Sequence, residues 1–168
     1  SDQIEFEVVA QVMDTAQSNG GSDDQINTAS FRTDTAPTAI GTVAVDIVEP
    51  RLALAKAITN PAAPHIVQAG DVVTYALTLS HQTGIGGSTA DAHAVVVSDT
   101  LPDPGADFLP GSLGGTCAGV AVDATAAPLL RFSLASLPLA IANCTITYQA
   151  TVTNAVNPGL TYTNSAQL

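Results

Sequence analysis

Apolar and polar residues alternate along most of this chain, in short segments separated by Gly, Pro, Asn and Asp. A two-residue period is typical of a β-strand with one buried face, and helical spacing is hard to find. Many short strands separated by turn residues favour a β-sandwich, so we expect an all-β fold of that class. The predicted strands are 3–14, 25–32, 42–48, 51–59, 71–80, 93–100, 129–137, 143–154 and 160–168.

One pattern occurs twice in the chain. A long alternating strand, a polar loop and a short strand follow one another near each end, so that Asn27 in the first copy matches Asn164 in the second. We therefore interpret residues 1–49 as the last strands of a preceding repeat followed by a joining strand. Residues 50–168 are predicted to form one complete repeat.

The partial repeat needs a partner, because two strands cannot bury a core by themselves. Its strands either pack on the complete repeat or receive the missing strands from another unit. The expected partners are neighbouring repeats or subunits, joined in tandem within one chain or by strand addition between chains.

Composition and charge narrow the function classes. The chain has 168 residues, with 4 Lys and Arg against 15 Asp and Glu, and a formal net charge of -11. We therefore expect neither nucleic-acid binding nor attraction to an anionic membrane, because both need clustered basic residues. No apolar run is long enough to insert into a bilayer. Hydrophobic residues make up 46% of the chain, which favours a folded domain over disorder.

Four sequence blocks stand out in order along the chain: Leu52-Ala53-Leu54-Ala55-Lys56, Ala69-Gly70-Asp71-Val72-Val73-Thr74-Tyr75, Val97-Ser98-Asp99-Thr100-Leu101-Pro102 and Tyr162-Thr163-Asn164-Ser165-Ala166. Together they resemble a bacterial surface repeat known as domain of unknown function eleven. The resemblance covers residues 50–168 fully and 1–40 as a tail, and it implies an immunoglobulin-like sandwich. It also implies tandem arrays in large extracellular or cell-wall proteins at the bacterial cell surface. Some related adhesin and pilin domains carry a Lys–Asn isopeptide bond.

Three polar residues interrupt the apolar faces of predicted strands. By alternation, Lys56 shares a face with Leu and Ile side chains, Asp99 with Val side chains, and Asn164 with Tyr and Ala side chains. Lys56 is also the only lysine of the chain. Buried charges need partners, so we expect these three side chains to meet.

Their chemistry points to a self-cross-link. Burial favours the neutral forms of an amine and a carboxylic acid, and a neutral amine is a nucleophile. A protonated Asp99 would polarise the Asn164 side-chain carbonyl, Lys56 would attack it, and ammonia would leave. In the alternative interpretation, Lys56 extends into solvent while Asp99 and Asn164 make ordinary turn hydrogen bonds. Asn27 should stay unreacted unless another chain supplies a lysine.

Two further sites come from Cys and acidic residues. Cys117 and Cys144, the only cysteines, are expected to form a disulfide, with two free buried thiols as the alternative. A polar loop offers weak candidate Ca²⁺ ligands, although the regular spacing of known calcium loops is missing. No other cofactor is expected. The candidate ligands are Asp14, Asn19, Asp23 and Asp24.

The function favoured by the sequence is structural. We expect a spacer, stalk or filament-forming repeat of a bacterial extracellular surface protein, reinforced by the isopeptide bond. The alternative is an adhesin or ligand-binding module that uses loop 82–92 or loop 102–119. Aromatic residues make up only 4% of the chain, which weakens that alternative. No motif supports an enzyme that turns over a substrate.

Overall fold

A computed structural model describes residues 5–11, 21–32 and 34–168 of the protein. In these ranges the chain consists of β-strands, turns and irregular segments. The strands, in chain order, are β1 (Gly21–Phe31), β2 (Ala39–Glu49), β3 (Leu52–Asn60), β4 (Val72–His81), β5 (Ala92–Thr100), β6 (Ala106–Phe108), β7 (Gly114–Gly115), β8 (Ala121–Asp123), β9 (Leu129–Leu137), β10 (Asn143–Val152) and β11 (Ser165–Gln167).

Strands β3 to β11 form two antiparallel sheets. The first has the order β3-β4-β10-β6, with β7 also paired to β10, and the second has the order β11-β5-β9-β8. Side chains alternate along the central strands, and the inward ones join a single apolar cluster between the sheets. The predicted all-β sandwich is therefore confirmed, while its immunoglobulin-like subtype stays a prediction. The largest fully buried apolar side chains include Tyr148, Phe132, Leu77, Leu79, Leu130 and Ile146.

The edges of the two sheets meet where the functional candidates lie. β3 is an edge strand of the first sheet and β11 an edge strand of the second, and the two strands contact one another. β11 pairs with β5 over three positions, with Ala166 opposite Asp99. The first and last strands of the sandwich therefore lie side by side although they belong to different sheets.

β1 and β2 form a separate two-stranded antiparallel ribbon. The pairing runs from Gly21 opposite Glu49 to Phe31 opposite Ala39. Apolar side chains on it are exposed, including Ile26 at 70%. Every described residue of the apolar core and its periphery lies between residues 52 and 166. The ribbon thus adds nothing to that core.

Two strand predictions differ from the structure. The predicted strand 3–14 is wrong over residues 5–11, which are exposed and form no strand. A segment forms a β-strand only when a neighbouring strand pairs with it. Here β1 pairs with β2, whose segment was predicted only to join the partial repeat to the complete one. The predicted strand 160–168 is confined to β11.

Loop 102–119 was predicted as a candidate binding loop, yet it contributes β6 and β7 to the first sheet. Strands of two or three residues are too short for alternation to reveal. Gly115 has a φ of +113°, and a Cβ built there would lie 2.0 Å from the Thr145 carbonyl oxygen. This close approach to β10 explains why glycine occupies that position.

Candidate cross-linking site

Four strands bring Lys56, Asp99 and Asn164 to one place, around the hydroxyl of Tyr148. Lys56 comes from β3, Asp99 from β5 and Tyr148 from β10, while Asn164 directly precedes β11. Each side chain lies on the inward face of its segment, as alternation predicts. The site therefore draws on both sheets at the edge where they meet.

The Tyr148 hydroxyl is the centre of the hydrogen-bond network. It donates to Asp99 Oδ2 at 2.7 Å and accepts from Asn164 Nδ2 at 3.0 Å. Lys56 Nζ donates to the same hydroxyl oxygen at 3.3 Å and forms an ion pair with Asp99 Oδ2. One phenol oxygen thus contacts the amine nitrogen, the amide nitrogen and the carboxyl group.

Aromatic rings surround the amine. Lys56 Nζ lies 4.9 Å from the ring centroid of Tyr75 and 5.8 Å from that of Tyr148. The Tyr75 and Tyr148 rings stack at 5.2 Å, and Phe132 lies 5.1 Å from Tyr148 on the core side. Such rings attract a cation through their faces but replace the water that would otherwise solvate it.

Burial changes the acid–base properties of the site. The Asp99 side chain is 0% exposed and that of Lys56 15%. Loss of solvation lowers the pKa of Lys56 below its usual 10.5, although the hydrogen bond to Asp99 and the charge of Asp99 oppose this shift. The pKa of Tyr148 is raised far above its usual value, first by burial and then by the charge of Asp99. Lys56 is therefore more readily deprotonated than an exposed lysine, while Tyr148 keeps its proton.

Within the described part of the chain, two buried oxygen atoms of the cluster have no hydrogen-bond partner, namely Asp99 Oδ1 and Asn164 Oδ1. Both are acceptors while Asp99 is ionised, and an unsatisfied buried acceptor is costly. A proton on Asp99 Oδ1 would turn one of the two into a donor. Ala166 lies opposite Asp99, and Asn164 precedes Ala166 by two residues. The side chains of Asn164 and Asp99 therefore lie on the same face of the sheet. Protonation of Asp99 would thus create the kind of donor that the predicted mechanism requires.

Sequence reasoning missed Tyr148 and Tyr75. A signal was available, because alternation along strand 143–154 gives Tyr148 the inward position between Ile146 and Ala150. A tyrosine on a fully buried face needs a partner for its hydroxyl, and that partner is a polar residue of the core.

The cluster has access to solvent on one side. An open cleft reaches it, lined by Lys56, Ile58, His65, Tyr75 and Asn164 among others. Part of Lys56 and Asn164 is exposed there, whereas Asp99 is enclosed. A small neutral molecule such as ammonia could therefore leave the site without unfolding of the sandwich.

The predicted disulfide is present between Cys117 and Cys144, with the two Cα atoms 4.8 Å apart. It fastens the segment after β7 to β10, and both cysteines pack in or against the apolar core.

Asn27 lies on β1 opposite Val43 and is exposed. In the described part of the ribbon, Asn27 does not lie in a buried cluster like the one that Lys56, Asp99 and Tyr148 form around Asn164.

The candidate calcium ligands are only partly covered by the structure. Asp14 and Asn19 lie outside the described residues, and for Asp23 and Asp24 only the backbone is described, within β1. Among the residues described, no three His, Cys, Asp or Glu side chains are grouped as a metal site.

Loop 82–92 borders an open cleft lined by His81, Gln82, Ser88 and Leu139 among others. His81 itself is buried and its Nε2 lies 3.0 Å from the Leu137 carbonyl oxygen.

In residues 5–11, 21–32 and 34–168, no helix is long and apolar enough to cross a bilayer.

Comparisons with protein-family models, with curated proteins and with solved structures found no match for this chain.

Proposed function

We propose that this chain is a structural repeat of a bacterial extracellular surface protein, acting as a spacer, stalk or filament unit. We further propose that it reinforces itself through an amide bond between Lys56 and Asn164. The observation that carries the proposal is the meeting of the chain's only lysine, a fully buried carboxyl group and an asparagine on one tyrosine hydroxyl. A chain with only 11% charged residues has little reason to bury such a cluster unless the residues act together.

The proposed reaction begins with proton transfer. The ion pair lets the Lys56 ammonium give a proton to Asp99, which leaves a neutral amine and a neutral carboxylic acid. The lone pair of Nζ then attacks Asn164 Cγ to form a tetrahedral intermediate. When the bond from Cγ to Nδ2 breaks, Nδ2 takes one proton and departs as ammonia. Nζ keeps one hydrogen as an ordinary amide N–H.

The position of the bond suits a load-bearing unit. It would join β3 to the residue before β11, and these are the first and last strands of the sandwich. They belong to different sheets, so backbone hydrogen bonds of one sheet cannot hold them together. Tension applied at the two ends of the unit would then pass through this covalent bond. The folded segment between residues 56 and 164 would not bear that tension.

The ribbon supports the proposed assembly with neighbouring repeats. The side chains of Ile26, Phe31, Ile40 and Val43 are all more than half exposed. Apolar ribbon faces of this kind gain stability only when another unit covers them. We propose a neighbouring repeat as that unit, joined in tandem or by strand addition. Sedimentation at several concentrations separates the two modes, because only strand addition gives assemblies that grow with concentration.

The decisive experiment is the intact mass of the denatured and reduced chain. We expect a mass one ammonia below that calculated from the sequence. Lys56→Ala and Asp99→Ala should each restore the full mass. Asn27→Ala is the matched control, because Asn27 has a similar local sequence on an exposed strand and its replacement should leave the ammonia loss in place.

A second source of ammonia loss has to be separated from the cross-link. Asn19-Gly20 is a sequence at which a backbone succinimide can form with the same loss of mass. Fragmentation should locate the expected change in a branched peptide that contains both Lys56 and Asn164. An unshifted mass, or a shift located only at Asn19, would refute the proposed cross-link.

A further inference from the structure

We propose that the Tyr148 hydroxyl is a catalytic group of the cross-linking reaction, which carries a proton from the Lys56–Asp99 pair to the departing Asn164 nitrogen. This inference rests on the proposed function. It adds a residue to the reaction that the sequence pattern of Lys, Asp and Asn does not contain.

The hydrogen-bond network determines which groups can exchange protons. The amide nitrogen that must leave, Asn164 Nδ2, donates to Tyr148 at 3.0 Å. Asp99 Oδ2 receives its hydrogen bonds from Lys56 Nζ and from Tyr148. The carboxyl group therefore contacts the nucleophile directly, but in this network it is connected to the leaving group through the tyrosine hydroxyl.

The proton balance follows from this connection. Asp99 first takes one proton from the Lys56 ammonium, and the neutral amine attacks Asn164 Cγ. In the tetrahedral intermediate Nδ2 has a free lone pair, because its conjugation with the carbonyl is lost. Tyr148 gives its hydroxyl proton to that lone pair and receives the Asp99 proton on its oxygen. The Cγ–Nδ2 bond breaks, ammonia leaves, and the second proton of Nζ returns to Asp99, which ends as a carboxylic acid.

The properties of Tyr148 suit a relay rather than a base. Burial and the nearby carboxylate raise its pKa, so the hydroxyl stays protonated and always has a proton to give. A free phenolate would be costly in this apolar site. Donation to Nδ2 and acceptance from Asp99 must therefore occur together, and the short chain from Asp99 through Tyr148 to Asn164 allows this.

Tyr75 has a different part in the site. Its ring stacks on Tyr148 and faces the amine, and its hydroxyl interacts with Asn164. The described contacts give its hydroxyl no hydrogen bond to Asp99 or to Lys56. A proton taken up at Tyr75 thus has no return path to the carboxyl group, and this distinguishes the two tyrosines.

The test follows ammonia loss over time in newly synthesised chains, quenched in acid and denaturant and measured by mass. We expect Tyr148→Phe to slow the reaction by about 100-fold or more, the usual lower range for loss of a proton-transfer group. Tyr162→Phe is the matched control, because the Tyr162 hydroxyl accepts from the Asn157 backbone N–H and not from a reacting group. That variant should react at the wild-type rate.

A second variant separates proton transfer from packing. Site-specific replacement of Tyr148 by a fluorotyrosine keeps the ring and hydroxyl but makes the phenol a stronger acid. A proton donor should then react faster than wild type, whereas a purely structural hydroxyl should leave the rate unchanged. Equal rates for wild type, Tyr148→Phe and the fluorotyrosine protein would overturn the inference while the cross-link itself stands. Absence of ammonia loss in the wild type would overturn the proposed function and this inference together.

Discussion

Replacement of Asn164 by alanine isolates the contribution of the cross-link to stability. The change removes the carbon atom that Lys56 attacks, so no amide bond can form. It leaves the Lys56–Asp99 ion pair and the hydrogen bond from Tyr148 to Asp99 in place. The variant therefore lacks the covalent bond, and it keeps the ion pair that the reacted wild type has converted into an amide and a carboxylic acid.

The size of the effect follows from the loop that this bond closes. A cross-link between residues 56 and 164 encloses on the order of 100 residues, for which chain entropy predicts about 4.7 kcal/mol of stabilisation. In a domain of this size, 1 kcal/mol corresponds to about 4 °C in the melting temperature. We therefore expect Asn164→Ala to melt about 20 °C below the reacted wild type.

The assay is thermal unfolding followed by circular dichroism and calorimetry, on samples whose cross-linking has been established by mass. Lys56→Met provides an internal ordering, because it removes the cross-link and also leaves the buried Asp99 without its partner, which costs about 3–5 kcal/mol more. A reacted wild type that melts less than about 5 °C above Asn164→Ala would refute the chain-entropy argument. A Lys56→Met protein more stable than Asn164→Ala would instead contradict the cost assigned to leaving Asp99 without its partner.

The remaining predictions concern pH and the disulfide. The proposed relay uses the proton that Lys56 gives to Asp99, and burial lowers the pKa of Lys56. Cross-linking should therefore slow as pH rises through that lowered pKa, because the shared proton is then lost to solvent. In Asn164→Ala the unfolded chain keeps this proton to higher pH than the folded chain. Stability in urea should therefore rise with pH from the lowered pKa of Lys56 up to about 10. Above that pH the tyrosines of the unfolded chain ionise and oppose the rise, because the pKa of Tyr148 is raised in the fold. A fall of stability below that pH would contradict the assignment. Reduction of the bond between Cys117 and Cys144, separated by 27 positions, should cost about 3.6 kcal/mol in urea unfolding. Cys117→Ala with Cys144→Ala should match the reduced protein, and an unchanged midpoint would show that the closed loop is not what stabilises this region.

Alternation was sufficient for the faces of the site but not for its centre. A strict two-residue period assigned Lys56, Asp99 and Asn164 to inward positions, because each lies on a strand, or at the start of one, with a buried face. The same rule assigned Tyr148 inward. Its role depends on distances between four strands, and these depend on how β10 pairs with β4. Such long-range register is not written in any local segment.

Pairing also explains the strand predictions that failed. Apolar and polar residues alternate over 5–11 as regularly as in the observed strands, yet an alternating segment becomes a strand only beside a partner. β1 pairs with β2 and not with residues 5–11. The disulfide between Cys117 and Cys144 could be predicted because the chain has two cysteines and the number of possible pairings was one. Composition thus determined one contact that periodicity did not.

The use of the only lysine inside the sandwich has a consequence for proteolysis. Trypsin needs an accessible Lys or Arg, and once Lys56 is consumed the chain has only Arg32, Arg51 and Arg131. Arg131 lies within β9 between two paired strands, and the backbone of Arg51 is hydrogen-bonded to Ser88 and Gln82. Arg32, just after β1, lies in an exposed segment outside regular structure. Trypsin should therefore cut first at Arg32, next to the ribbon, and leave the sandwich in one piece.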